Sequence, residues 1–251
     1  KFAPGEHDPY AMIRGAERVA VDAQMTRQKL NKWVLRSHTL AKQAREAGVL
    51  EPYLVGVQGT VADAGIRDRM SERFLDKLPP LLPDGAILTA GNTCLMHDGA
   101  AFLMVASERY VKEHNLTPLA EIVDSVTVGG NPDKSPETAI LAIQKFLAKT
   151  GHTAEDIAVF ECNEAFAVID ELFARAYPDA IDRYNRYGGA LAYGHPYGAS
   201  GGIITIHACR ALQETPGYAV CSIAAAGGIG HALLLRSGEC RKGNMVCREK
   251  R

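Results

Sequence analysis

Between Asp8 and Gly48 apolar positions such as Leu30, the adjacent Val34 and Leu35, Leu40 and Ala44 recur every four or five residues, the spacing of a helix with one buried face. The pattern predicts two helices, 11–25 and 26–47, the second opened by Thr26 as a cap and stopped by Gly48. Leu50 to Val57 has strand character, and Gln58 to Asp84 is polar and irregular, punctuated by Pro79, Pro80 and Pro83. From Ala86 the texture changes. Ala100 to Ala106 is a continuous apolar run of the kind that suits a buried strand, Ser107 to His114 reads as a helix, and Leu119 to Val128 alternates as a strand does. Ser135 with Pro136 predicts a cap and first residue of a helix running to Lys149. A strand at 157–161 and a helix at 164–177 follow. A glycine-rich loop at 188–202 then opens a helix over 199–214, and strands at 219–223 and 229–236 close the pattern. Strands alternating with helices and ending in two adjacent strands predict a layered α/β fold with a mixed sheet.

Composition changes this picture little. The 251 residues are 47% hydrophobic and 23% charged, enough apolar material for one large domain or two small ones. A net charge of −1 gives no field that argues for nucleic acid or a membrane surface. No apolar run reaches the roughly 18 residues of a membrane span, and Lys1 to Gly5 has no leader-type run, so the expectation is a soluble protein of the cytoplasm. The six cysteines (Cys94, Cys162, Cys209, Cys221, Cys240 and Cys247) form no CxxC pair and fit neither a zinc site nor a disulfide scaffold, so they read as reduced thiols in apolar surroundings and no metal is expected. The tail after Gly238 is polar and reads as loose.

Three segments carry candidate chemistry. Gly194–His195–Pro196–Tyr197–Gly198–Ala199–Ser200–Gly201 sets a histidine between glycines at the mouth of a helix. Glycine permits close backbone approach, the helix start offers unpaired N–H groups, and the histidine is suited to acid, base or oxyanion-donor work near neutral pH. A tight turn with a merely satisfied histidine fits as well. Glu161–Cys162–Asn163–Glu164–Ala165–Phe166 lies where a strand gives way to a helix. Asn163 reads either as a helix cap or as an amide holding a water or carbonyl oxygen, with Glu164 as its orienter and Phe166 as a wall. Ala224 to Gly230 is a small-residue turn between two strands, which lets something large come close or simply packs tightly.

The order and spacing of these three segments, with Thr89–Ala90–Gly91–Asn92 and Asp98–Gly99–Ala100–Ala101 upstream, resemble the thiolase superfamily, as acetyl-CoA acetyltransferases do, and in particular the C-terminal part of such chains. The resemblance is loose before about residue 85 and close after it. It implies a thiolase-like fold of two βαβαβαββ halves. Residues 1–85 would be the end of a loop domain, 86–117 the returning part of the first half, 118–238 one complete half, and 239–251 a tail. It implies acyl transfer between coenzyme A thioesters, with the thioester as substrate and no permanently bound cofactor. His195 and Asn163 match the family's catalytic histidine and asparagine. Glu164, Ala165, Phe166, Gly198 and Gly228 would border the substrate. The nucleophilic cysteine would come from an N-terminal half, on a chain partnered in a homo- or hetero-oligomer.

One departure stands out. Aligning Gly227, Gly228 and Gly230 to the family's glycine turn puts Ala224 where its second, acid/base cysteine belongs. Cys221 is three residues upstream, an odd offset along a strand and roughly 10 Å of rise away, which makes it a poor substitute. Acyl transfer remains the expectation, and Claisen chemistry is in doubt. The competing expectation is a non-catalytic thiolase-fold subunit that stabilises an active partner. Arg67, Arg69, Arg73 and Lys77 suit either the coenzyme phosphates or a solvated loop, and Met96, Phe102 and Tyr197 either a pocket or, for Phe102, the core.

Overall fold

A computed structural model describes residues 8–238; the expected loose tail, with Cys240 and Cys247, lies outside them. In chain order the helices are α1 (Ala11–Asp22), α2 (Arg27–Glu46), α3 (Glu72–Leu75), α4 (Glu108–Glu113), α5 (Glu137–Thr150), α6 (Ala167–Ala176), α7 (Ala190–Tyr193) and α8 (Ser200–Glu214). The strands are β1 (Ala120–Gly129), β2 (Ile157–Cys162), β3 (Tyr218–Ala225) and β4 (Ile229–Ser237). They form one mixed sheet in the order β1-β4-β3-β2. β2 and β3 are parallel, and β4 runs antiparallel to both its neighbours.

Side-chain alternation along β3 assigns the two faces of the sheet. Val220 packs with Ile143 and Phe146 of α5 and Phe173 of α6, and the Ser222 hydroxyl donates to the Ala139 carbonyl of α5 (2.8 Å). Ala219 and Cys221 point the other way, into a cluster with Ala208, Cys209 and Leu212 of α8. The result is helix, sheet, helix, each layer burying an apolar stripe against the next. A separate cluster joins α1 and α2 to Phe166, Ala167 and Val168 at the start of α6. Thr26 caps α2 as expected, its Oγ1 accepting the Lys29 N–H (3.3 Å).

Four sequence expectations fail here. Leu50–Val57 is not a strand: a 3₁₀ turn covers Glu51–Tyr53, and the chain then doubles back through an isolated Val57–Thr60 bridge with both central residues at positive φ. The apolar run Ala100–Ala106 is extended but pairs with no strand among the described residues, and Phe102 is 88% exposed rather than core. Periodicity reports apolar character, not whether a partner is present to cover it. Ser135 does not cap α5, since its hydroxyl donates to Pro132 O (3.0 Å) and accepts the Gly228 N–H (3.0 Å), tying the β3–β4 turn to the start of the helix. The expected helix from Glu164 starts only at Ala167, for reasons that belong to the site.

Candidate functional site

β2 ends at Cys162, and the next four residues make lateral contacts in place of a helix. Asn163 N–H donates to Ser222 O of β3 (2.9 Å), Cys94 N–H donates to Ala165 O (3.0 Å), and Ala167 N–H donates to Asn92 O (3.0 Å). Asn163 is therefore no helix cap. Its backbone is pinned beside β3, and its side chain, 2% exposed, is free to face the histidine.

His195 arrives from the glycine loop. Its N–H donates to Leu95 O (2.7 Å), which fixes the loop against the segment that follows Asn92. On the ring, Nδ1 lies 2.5 Å from Ser200 Oγ and Nε2 lies 3.4 Å from Asn163 Nδ2. Ser200 Oγ also reaches Pro196 O (3.4 Å), a contact in which the hydroxyl must donate. The hydroxyl proton is then committed, so Oγ accepts from Nδ1–H. Nε2 is left as the unprotonated nitrogen, facing an amide that donates. Burial pushes the His195 imidazolium below its usual range, keeping the ring neutral at pH 7. A neutral imidazole with a fixed tautomer is equipped to take a proton at Nε2.

Glu164 supports this pair from beneath. Its buried carboxylate accepts from Ser37 Oγ (2.6 Å), Asn185 Nδ2 (2.8 Å) and Leu191 N–H (3.2 Å). Burial raises its pKa, and these hydrogen bonds pull it back. One side chain thus joins α2, the β2 end and the glycine loop. A Cβ on Gly189 would stand 2.5 Å from the Glu164 carboxyl, so glycine there is a packing requirement. Glu164, expected to border the substrate, makes these contacts within the protein. Phe166, only 5% exposed, packs in the core cluster with α1 and α2. Gly228 (φ 77°) is pressed on the 130–132 loop, its missing Cβ only 2.5 Å from Gly130 O, which accounts for it as a turn residue. Gly198 is exposed with open space around it, and Ala165 is half-buried beside the pair.

Cys221 does not join His195 and Asn163. It lies 3% exposed on the α8 face, its thiol donating to Ile204 O (3.7 Å), and burial holds its pKa well above the usual thiol range. Ala224 lies on the α5 face with Ser222, opposite Gly230 of β4. All four cysteines of the described residues are free, and burial pushes Cys94 up to about 12. None of the four is a ready thiolate. Among the described residues no group of three or more metal-ligating side chains occurs, and no helix is long and apolar enough to cross a membrane.

Two cavities flank the histidine without including it. One of about 710 Å³ is lined by His38, Arg67, Arg69, Thr93, Leu95 and Leu191, among others. The other, about 460 Å³, is bounded by Gly194 and Pro196 on either side of His195. The first is lined both by two arginines and by Leu95, whose carbonyl holds His195. His38 keeps its wall in place by accepting the Arg67 N–H at Nδ1 (3.1 Å). Burial, then Arg67, lower His38 to about 4. Below the ordinary histidine value of 6.5 the unfolded chain binds a proton that the folded chain refuses, so stability falls as pH drops from 6.5 to about 4. A His38→Gln variant is expected to lose part of that slope, measured as the urea midpoint at pH 7.0 and 4.5; an unchanged slope would refute the assignment.

Sequence reasoning singled out His195 and Asn163, and the structure brings them together. It missed Ser200 as the histidine's partner, although a hydroxyl at the first position of the following helix was visible in the motif. It also missed Ser37 and Asn185, which carry no local signal because their partner is distant in sequence.

Known families, proteins and solved structures match most of the chain. The family model "Thiolase, C-terminal domain" matches residues 116–237 and "Thiolase, N-terminal domain" matches residues 6–109. The chain therefore holds sequence of both domains, not only of the C-terminal one. It is 35% identical over 241 residues to human mitochondrial 3-ketoacyl-CoA thiolase, covering 92% of this chain and 61% of that protein. It is 36% identical over 228 residues to acetyl-CoA acetyltransferase of Synechocystis sp., covering 86% and 58%. The crystal structure of the human mitochondrial enzyme in complex with CoA superposes with a TM-score of 0.82 at 35% identity, over 90% of this chain and 58% of that one. The acetyl-CoA acetyltransferase of Bacillus anthracis gives 0.83 at 30% identity, over 90% and 60%. The chain thus spans about three fifths of the length of these relatives, and it belongs to the thiolase superfamily.

Proposed function

We propose that the whole protein transfers acyl groups between coenzyme A thioesters, with His195 as the proton-transferring base and Asn163 as its amide partner. The observation that carries this reading is the oriented ring: Nδ1 held by Ser200 and Nε2 turned to Asn163. Nε2 takes the proton of an attacking thiol, and the thiolate sulfur adds to the thioester carbonyl. The carbonyl oxygen gains the negative charge, which N–H donors at the site offset. The old carbon–sulfur bond breaks, and the proton returns from Nε2 to the departing sulfur. The acyl-accepting thiolate is proposed to come from outside the described residues, because burial disfavours ionisation of the four cysteines within them. The match of residues 6–109 to the N-terminal domain does not support a separate partner chain as its source. The cavity lined by Arg67, Arg69 and Leu95 suits the coenzyme, with its phosphates beside the arginines.

We further propose the domain division 1–85, 86–117 and 118–238, and an oligomer of the cytoplasm. Four free cysteines suit a reducing compartment, and the exposed run from Phe102 to Val105 suits a covering surface. Ala224 favours the second reading, a thiolase-fold subunit without its own chemistry. Isotope exchange separates the two: tritium-labelled coenzyme A and unlabelled acetyl-CoA are mixed with the full-length protein, with [¹⁴C]acetyl-CoA in a parallel arm, and label is sought in acetyl-CoA from the first and in acetylated enzyme from the second. Acyl exchange is expected and condensation to a 3-ketoacyl product is not; no labelling at all would leave only the scaffold. Ala224→Cys should then add condensation, at least tenfold above the parent, because it supplies a thiol at the position the family uses for the carbanion-forming step.

A further inference from the structure

Beneath the His195–Asn163 pair lies a second pair that the proposed chemistry does not use. Glu161, at the penultimate position of β2, is 1% exposed; His207, two turns into α8, is 6% exposed. His207 Nδ1 stands 3.8 Å from Glu161 Oε2. His207 Nδ1 and Glu161 Oε1 are buried polar atoms without a hydrogen-bond partner. Leaving both unpaired forfeits their hydration with no bond in return, so native folds seldom tolerate it. A closure of under about 1 Å would bring carboxyl and imidazole within hydrogen-bond reach.

The groups facing this pair decide its charge. Glu164 repels a negative charge on Glu161, while Arg36 and Arg186 favour one; the Cys221 thiol lies on the same side. The rings of Tyr187 and Tyr193 pack edge-on against His207 at 6.1 and 5.4 Å. Burial outweighs the two arginines and holds the Glu161 carboxyl well above its usual range, while it pushes His207 down to about 4. Burial thus favours the protonated acid and the neutral imidazole. One donor faces one acceptor.

The location gives the pair a task. Glu161 is two residues from Asn163, and His207 shares its helix with Ser200, which holds the His195 ring. Tyr193, against which His207 packs, leads directly into Gly194 and His195. We propose that Glu161 and His207 are positioning residues: an uncharged pair sharing the carboxyl proton ties the strand bearing Asn163 to the helix bearing Ser200, and so sets the His195–Asn163 contact. The inference rests on reading His195 and Asn163 as the working pair.

Ring-nitrogen NMR of histidine-labelled full-length protein tests it without requiring any turnover, so a failed activity assay leaves this test intact. In the parent, His207 should show a neutral ring from pH 8 to 5. Glu161→Gln, which keeps a neutral donor, should leave the His195 titration within about 0.2 pH unit. His207→Leu breaks the tie and lets water reach the His195 ring, so its pKa should rise by about half a unit or more toward the solvated value. A charged His207 ring at pH 7, a Glu161→Gln shift as large as that of His207→Leu, or no shift in His207→Leu would each overturn the proposal. Should His207→Leu fail to fold, His207→Gln replaces it; an amide there keeps the acceptor, and a shift of half a unit in that variant also overturns the idea.

Discussion

Alanine at position 195 is expected to slow acyl exchange in the full-length protein by about a thousandfold or more, while leaving its unfolding midpoint within a few degrees of the parent. The magnitude follows from two roles of one ring. Proton transfer by a positioned base typically contributes about 10²–10⁴-fold, and loss of a donor to a developing oxyanion costs about 10²–10³-fold. These overlap rather than multiply, because the same Nε2 serves both in sequence. Stability is spared because the ring is only half-buried and the loop is held by backbone bonds that alanine retains, chiefly His195 N–H to Leu95 O. Ser200 loses one partner but keeps Pro196 O. Initial rates of label exchange, measured beside thermal unfolding, check both halves. A rate within threefold of the parent would remove His195 from the chemistry and leave the scaffold reading. Below the ring's pKa, lowered from 6.5 by burial, the parent should lose activity because Nε2 is already protonated.

The sequence made the second half of the chain legible because its signals are local. The alternation of β1, the helical stretch of α5, and the glycines around His195 each report on contacts made nearby or repeated at a fixed period. Four strands and three helices from Ala120 onward (α5, α6 and α8) lie close to their expected places for that reason. The misreadings share the opposite cause. Ala100–Ala106 reads as buried because Phe102, Leu103, Met104 and Val105 are apolar, yet burial depends on a neighbour that local sequence does not encode; these side chains range from 46% to 88% exposed. Asn163 reads as a cap because it precedes an apolar helical stretch, whereas Asn92, Cys94 and Ser222 from distant segments claim the intervening backbone. Glu164 adjoins Asn163 in the motif, while its hydrogen-bond partners Ser37 and Asn185 lie 127 and 21 residues away, beyond any local signal. The histidine and asparagine were legible as types in a motif, while the hydroxyl that fixes the tautomer required coordinates.

Gly194→Ala is expected to destabilise the protein by about 3 kcal/mol or more, the largest loss for any single methyl group in the histidine loop, from two independent penalties. The first is backbone strain: Gly194 adopts φ 91° and ψ 176°, a region almost confined to glycine, in which other residues carry about 1–3 kcal/mol of strain. The second is steric. A Cβ at this position would stand 1.8 Å from His97 Nδ1, and that nitrogen is already engaged with Tyr193 O at 2.7 Å. The His97 ring must leave, giving up its bond and opening the wall beneath Gly194. The loop is also unable to slide away, because Gly194 N–H donates to Ala190 O and His195 N–H to Leu95 O. Urea unfolding should therefore show a much lower midpoint with little change in slope. Gly198→Ala supplies the control: no atom lies within 4 Å of its added Cβ, and its effect should stay within about 0.5 kcal/mol. Combining Gly194→Ala with His97→Ala relieves the clash but not the backbone, so it should recover only part of the loss. Full recovery would show that the ring contact alone demands glycine, and equal effects at 194 and 198 would show that the loop tolerates side chains at both.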